Sequence, residues 1–457
     1  LNYKLRLKDI SNTRNKGLVR VYRRSGSTDT KILDNTPSGG ATEAPATETQ
    51  FADEFWMEFE RGGIIEIELV ALNGTTELCK DSVRASGIAC RPISGNIYFV
   101  NPLGTAALPR MDFTDACAAN LASVVGIAPA DANIVVAGAT YNESGLNVAT
   151  KVLIAGLGAA FDSTDPFAFK FDDVPVVDAA SAAGIFMVDT KQENHFSGLV
   201  LQKGKRQNGG AINAKDSSLL SICYTTFSEN KADDFGGGVY LKSVTDATIS
   251  GCILNNNKVD HDDGGSVVYD KGMGGAVATL ESTLTVANCL FQQNVAQVTK
   301  SGGLPTEESA GGGGDIYMNM GTLKVLNTVS MNAQAGFPQV LAVPVDDKKF
   351  FTGDGGAILV HGEKTDTTVE IRDSRFENST SYGNGGAISF SKDSSPQART
   401  YFMAELALWG WDSPNLPVES EPTALGGGCI GLISNVVFSE SQGGWQGGAI
   451  SANGRGM

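Results

Sequence analysis

Short alternating stretches of apolar and polar residues open the chain. Tyr3-Lys4-Leu5-Arg6-Leu7 and Leu18-Val19-Arg20-Val21-Tyr22 alternate, and residues 55–59 and 64–70 alternate again. A period of two over five or more residues predicts half-buried strands. The stretch 36–50 between them is rich in Pro, Gly, Ser, Thr and Ala and reads as a loop. Residues 1–85 are therefore expected to form a small β-rich, sandwich-like domain. Residues 86–130 read as a junction, with a strand at 97–100 and a helix over 115–125. Ala118, Leu121, Val124 and Val125 share one side of that helix, and Thr114 can serve as its N-cap. Short strands are expected next at 134–137, 151–154, 168–171 and 198–201.

From residue 209 onward the pattern becomes a repeat. Gly-Gly-Ala followed by Ile or Val begins at Gly209, Gly274, Gly355, Gly385 and Gly447, with Gly210, Gly275, Gly356, Gly386 and Gly448 as the second glycines. Looser copies start at Gly236, Gly313 and Gly427. A second phrase, Phe-x-x-Asn, alternates with it at Phe227–x–x–Asn230 and Phe291–x–x–Asn294, with Leu254 and Asn257 as a near copy. From Gly-Gly to Phe or Leu takes 18, 18 and 17 residues in the first three copies, and from Phe to the next Gly-Gly takes 9 at 227, 376 and 438. The unit of about 27 residues suits one coil of three short strands and three turns. Longer intervals place insertions at 258–273 and 295–312, at the same turn each time. Segments 333–354 and 392–426 are also expected to leave the coil.

The residues of the unit have physical roles. The position two before each Phe (Cys252, Cys289, Ser374, Val436) shares its strand face, so both point inward. Stacked coils place Phe on Leu on Phe, about 4.8 Å apart per strand. The Asn three residues later falls at a turn, where its amide can bond coil to coil along the axis. Gly-Gly supplies positive φ and close approach at the start of the next strand. Ser379 and Ser441 stand at the Asn position in later copies.

This alternation resembles the repeats of chlamydial polymorphic membrane proteins, and similar repeats in algal and protist surface proteins. The resemblance covers about residues 200–457. It implies an all-β, right-handed parallel β-helix over 131–457, continuing beyond the chain end, with the helix covering its first coil. It also implies a secreted, surface-displayed adhesive or structural role, outside the cell or on its surface. The chain shows no autotransporter barrel, and its insertions exceed the bare repeat.

Composition narrows the partners. The net charge is −16, and residues 1–34 hold nine Lys/Arg against three Asp, which leaves the body more acidic still. An acidic body argues against nucleic acid, whose phosphates need a basic face. No apolar run reaches about 18 residues, so no membrane span is expected in this segment. The chain starts at Leu1 without Met and ends at Met457 inside a repeat, and reads as a processed or partial piece of a longer protein. Other chains, or copies of itself, in a surface assembly are the expected partners, with glycans as a further candidate.

Seven cysteines leave at least one free or bonded to another chain. Cys79 and Cys90 could form a local disulfide or stay free. Cys252 and Cys289 share one register and could form a disulfide or stack as buried thiols. Three sequons, at Asn73, Asn142 and Asn378, are glycan candidates. The three histidines, His195, His261 and His361, pair with no recognisable nucleophile and read as polar surface residues. No catalytic constellation is found and no cofactor is expected, although Asp260, Asp262 and Asp263 could bind calcium. Trp409 and Trp411, two apart, could stack on a sugar or pack against the coil. Three functions remain: a non-catalytic structural or adhesive segment of a surface fibre such as a flagellar hair, a polysaccharide lyase or hydrolase of the pectin-lyase-like class, and a glycan-binding module.

Overall fold

The computed structural model describes the strand segments between residues 2 and 87, then 97–100, 120–136, 138–156, 160–161, 169–170, 174–262, 271–299, 311–336, 353–362, 367–383, 385–392, 401–405, 429–443 and 448–452. The chain divides into two compact units, Leu1–Arg91 with Ala159–Asp172, and Pro92–Gly158 with Asp173–Met457.

The first unit is built of antiparallel sheets, as the alternation predicts. Asn2–Lys8 lies between Glu43–Ala46 and Gly63–Asn73, which pairs in turn with Thr76–Gly87. A second sheet holds Thr28–Asp34, Leu18–Ser25 and Glu54–Arg61. Leu7 of the first sheet and Val21 and Leu33 of the second form one buried cluster, backed by Leu5, Ile32 and Ile67. The expected coil strand at 168–171 is different: Phe169–Lys170 pairs antiparallel with Ala160–Phe161 and groups with this first unit.

The second unit is a parallel β-helix. Each coil, or rung, contributes to three parallel sheets. The broad sheet takes two segments per rung, such as Ile212–Lys215 and Leu219–Cys223, which fuse into one strand at Val277–Ala287 and Ile316–Leu326. The narrow sheet takes three residues, such as Thr226–Ser228 and Leu290–Gln292. The third sheet takes Lys231–Phe235 and its successors. Each side chain therefore lies above its homologue from the previous rung. Ile212, Val239, Val277, Ile316, Ile358 and Ile388 form one inward row, and Ile222, Ile249, Val286, Val325 and Ile371 another. These rows merge into one buried core along the axis.

The first end is covered as expected, by a shorter helix with another cap. The helix runs Leu121–Val125 and buries Leu121, Val124 and Val125. Asn120 is its N-cap: its side chain accepts from Ser123 N at 2.9 Å, in extended backbone geometry. Thr114 lies outside the described residues. Glu143 completes the cap, accepting from Leu121 N and Ala122 N at 2.6 Å each. A carboxylate satisfies two orphan amides there and complements the positive helix end.

The register corrects several boundaries of the repeat. The Gly-Gly-Cys-Ile phrase at Gly427 does not open a rung. Its strand, Cys429–Ser434, pairs with Thr367–Arg372 and so belongs to the second segment of the broad sheet. Within the segment 392–426, Tyr401–Glu405 adds a parallel strand on the far side of Cys429–Ser434, out of rung order, so the segment leaves the regular coil yet joins the broad sheet. Likewise, the insertions at 258 and 295 begin with sheet, since Lys258–Asp262 and Val295–Thr299 are strands of the third sheet.

Candidate functional site

The corners show what the repeated residues do. At the corner before the broad sheet, the first glycines (Gly209, Gly236, Gly274, Gly313, Gly355, Gly385) have φ between 59° and 70°. The second glycines meet a different demand. A Cβ on Gly356 would lie 2.0 Å from the Gly386 carbonyl oxygen, and one on Gly275 would lie 2.1 Å from that of Gly314. The first glycine is required by its dihedral and by close approach to the carbonyl three residues on, 2.1 Å from Ile358 O for a Cβ on Gly355, and the second by close approach of stacked backbones alone.

At the corner after the narrow sheet, the asparagines form the expected ladder. Asn230 Nδ2 donates to Asn257 Oδ1 at 3.0 Å, and Asn257 Nδ2 donates to Asn294 Oδ1 at 3.1 Å. The backbone joins in: Gly204 N, Asn230 N and Asn257 N donate to the amide oxygens of Asn230, Asn257 and Asn294. The second amide protons go to Leu201 O, Phe227 O and Leu254 O. The row is fully buried. Inside it run Leu201, Phe227, Leu254 and Phe291 in register, and further on the Phe376 and Phe438 rings stack at 5.5 Å.

The third corner row is made of hydroxyls and thiols. Thr225, Thr328 and Ser374 each donate to the carbonyl two residues earlier, at 3.0, 3.0 and 2.8 Å. Cys252 and Cys289 occupy the same row and do the same with Sγ, to Ser250 O and Ala287 O. Both are buried and free, so the disulfide expected as one alternative does not form between them. The Cys252 thiol is pushed up by burial and by the neighbouring Cys289. Cys223 follows the inward Ile222, points away from the core and is disulfide-bonded.

Charge collects on the third sheet, at the insertions. Asp234 Oδ1 lies 2.8 Å from His261 Nδ1 and 3.4 Å from Lys271 Nζ, and its Oδ2 accepts from Gln207 Nε2 at 2.8 Å. Asp260 Oδ2 lies 3.1 Å from both Lys231 Nζ and Lys258 Nζ, and its Oδ1 accepts from Gln297 Nε2 at 3.0 Å. Each carboxylate thus joins three successive rungs. The sheet extends here to five residues per strand, against two at Gln334–Ala335 and Thr380–Ser381. The described chain resumes at 271–273, where Gly272 N and Met273 N donate to Asp234 O. Met273 also joins Tyr240, Ala278, Tyr317 and Leu359 in a small apolar cluster outside the main core, with Phe235 packed against it. The Phe235 ring stacks on Tyr317 at 6.2 Å. Residues 271–273 are therefore held on the coil by the Asp234 carbonyl and by the Met273 side chain among Tyr240 and Tyr317.

This placement changes the reading of several residues. His261 and His195 are buried, 7% and 4% exposed, where surface positions were expected. Strand alternation turns His261 toward Asp234 and puts Asp260 and the exposed Asp262 on the other face. Asp263, Trp409, Trp411, Cys90 and Gly447 lie outside the described residues. Among the described residues no group of three or more His, Cys, Asp or Glu is arranged to hold a metal. Cys79 faces Ala71 across its strand pair, and Asn73 closes that hairpin opposite Thr76. Asn142 is exposed. Asn378, also exposed, has φ 49° and its Nδ2 donates to Asn332 Oδ1 at 2.6 Å, part of a second Asn row outside the corner. His261 and Asp234 were missed as partners because they sit 27 residues apart in sequence. The unit length is the signal that would have paired them, since it stacks them on adjacent rungs.

Residues 224–242 match the Chlamydia polymorphic membrane protein repeat. The match runs from the hydroxyl-row corner through Phe227, Asn230 and Gly236 into the next broad-sheet strand. Probable autotransporter YfaL of Escherichia coli (strain K12) is 28% identical over 103 residues, 21% of this chain and 7% of the relative. That stretch is a small part of the relative's length. The catalytic unit of a GH87 alpha-1,3-glucanase from Streptomyces thermodiastaticus strain HF3-3 aligns over 100% of this chain and 86% of its own, at 10% identity and a TM-score of 0.18, a likeness that carries no argument. No described helix is long and apolar enough to cross a membrane.

Proposed function

We propose that this chain is a non-catalytic passenger segment displayed at a cell surface, in which a stiff β-helical stalk carries binding arms on one corner. The observation that carries this reading is where the two insertions are anchored on the coil. Two successive insertions leave from the same sheet and return to the same Gly-Gly corner, held by Asp234, His261 and Met273. A continuous ladder of backbone bonds ties every rung to two neighbours, which makes the stalk rigid. Insertions collected on one side are where repeat proteins place their recognition surface. The similarity to polymorphic membrane protein repeats and to a probable autotransporter supports the surface location. Structural assembly or adhesion is the role proposed for the arms.

The carboxylates support a structural reading over a catalytic one. A general acid or base needs an oxygen open to substrate. Asp234 and Asp260 instead have both oxygens engaged by cations and amides from other rungs. Antibody labelling of intact cells of the source organism, with and without permeabilisation, tests the location. Labelling of intact cells, and loss of surface adherence on trimming the arms, is expected. Labelling only after permeabilisation would overturn the proposal, as would turnover of polygalacturonate or alginate by the purified chain.

A further inference from the structure

One rung breaks the repeat at three places at once. Where other rungs hold Ala211, Ala276 and Ala357 after the two glycines, this one holds Asp315. Ser330 stands in the Phe row, in register between Phe291 and Phe376. Ala333 stands in the Asn row, three residues after Ser330.

The three departures fit one another. Ala333 has no amide to receive the last proton of the ladder. Asp315 Oδ1 receives it instead, from Asn294 Nδ2 at 2.8 Å. A Phe in place of Ser330 would fill the space the carboxyl needs; the serine leaves it, and its hydroxyl lies against Asp315 Oδ2 at 2.5 Å. Asp315 is 1% exposed, inside the solenoid midway along the axis. The residues facing it are uncharged on every side: Ala276 and Asn294 in the preceding rung, Ser330 and Ala333 in its own, Ala357, Phe376 and Ser379 in the following one. Among the described residues no cation or second acid adds to its surroundings.

We propose that Asp315 is a pH-sensitive latch, a neutral carboxyl that locks the end of the Asn ladder to its own rung and loosens that junction when it ionises. The chemistry permits both states but favours one. Neutral, the carboxyl donates its own proton to Ser330 Oγ and accepts from Asn294. Ionised, it accepts from both, yet leaves a buried negative charge without a counter-cation, which is costly. Burial pushes this carboxyl from the usual 3.8 up to about 7, against the pull of Ser330 and Asn294. An acid whose folded value is raised contributes stability that is complete below the unfolded value and is lost as pH climbs through the folded one. The solenoid is therefore tighter in mildly acid than in mildly alkaline surroundings. The hydroxyl of Ser330 matters because it can switch from accepting to donating without moving.

Thermal unfolding of the full chain at about pH 5 and about pH 8, followed by circular dichroism, tests this. The midpoint of the wild type is expected to fall by several degrees with rising pH. Asp315→Asn keeps an acceptor for Asn294 and a donor for Ser330 but cannot ionise, so its fall should be clearly smaller. An unchanged fall in Asp315→Asn would overturn the proposal. Should that variant fail to fold, infrared spectroscopy of the wild type decides: a buried protonated carboxyl band present at about pH 6 and lost by about pH 8.5 is expected, and its absence at the lower pH would overturn the latch.

Discussion

Asn257 Nδ2 donates to Asn294 Oδ1 at 3.1 Å, and the same Asn257 receives Asn230 Nδ2 on its other side. One side chain thus serves two neighbours inside a core that water does not reach. Asn257→Ala strands the Asn230 amide and its backbone N–H and frees Phe227 O. Each buried orphan costs about 1–3 kcal/mol, so a loss of at least about 3 kcal/mol is expected in denaturant unfolding. A loss under about 1 kcal/mol would mean that water or a rearranged corner replaces the ladder.

The second glycine of the phrase admits no side chain. Gly356→Ala drives a methyl to 2.0 Å from Gly386 O and 2.9 Å from Thr380 N. Backbone on both sides leaves nothing that can yield, so poor expression or an unfolded spectrum is expected. Gly126→Ala is the matched control: its nearest contact is 3.4 Å and its φ is −69°. That change should raise stability by about 0.4–1 kcal/mol through the unfolded chain.

Cys252 and Cys289 behave as members of a hydroxyl row. Cys252→Ser and Cys289→Ser retain a donor for Ser250 O and Ala287 O, so each should cost less than about 1.5 kcal/mol. Both thiols should resist an alkylating reagent in the native protein and react after denaturation. Labelling of either at native rates would show that the core opens at this corner.

Asp234 and Asp260 make similar contacts at different depth. The Asp234 side chain is 6% exposed and that of Asp260 16%. Asp234→Ala removes the partner of His261, Gln207 and Lys271 and is expected to cost about 3 kcal/mol, with earlier proteolytic cutting in the arms. Asp260→Ala leaves Lys231 and Lys258 side by side and should cost about 1 kcal/mol, with the deficit shrinking in high salt. Equal losses at both positions would remove the argument from depth.

Much of this architecture was legible because a solenoid converts sequence distance into spatial contact. Once the unit was measured, Phe227 had to lie under Leu254 and Asn230 under Asn257. Legibility ended where a residue departed from its row for the sake of another. Asp315 looks like a decayed Ala, Ser330 a lost Phe and Ala333 a lost Asn. Each deviation explains the others only when the three side chains are seen to converge. The histidines were misread for a related reason. Polarity suggests the surface, but His261 lies buried against Asp234 of the preceding rung. The helix was overextended because an amphipathic spacing does not mark its first hydrogen-bonded turn, which Asn120 and Glu143 set.

The close approach of the second glycines has a consequence for how such a chain can change length. With carbonyl packed on α-carbon at that corner, no residue can be gained or lost there without forcing two backbones together. Between the third sheet and that corner, added residues leave every row where it was. Growth is therefore quantised along the axis, in whole rungs, and continuous away from it, in the arms. Two chains of this type could exchange a rung together with its arm and keep a single uninterrupted core, so that variety in what the surface presents accumulates while the frame stays the same.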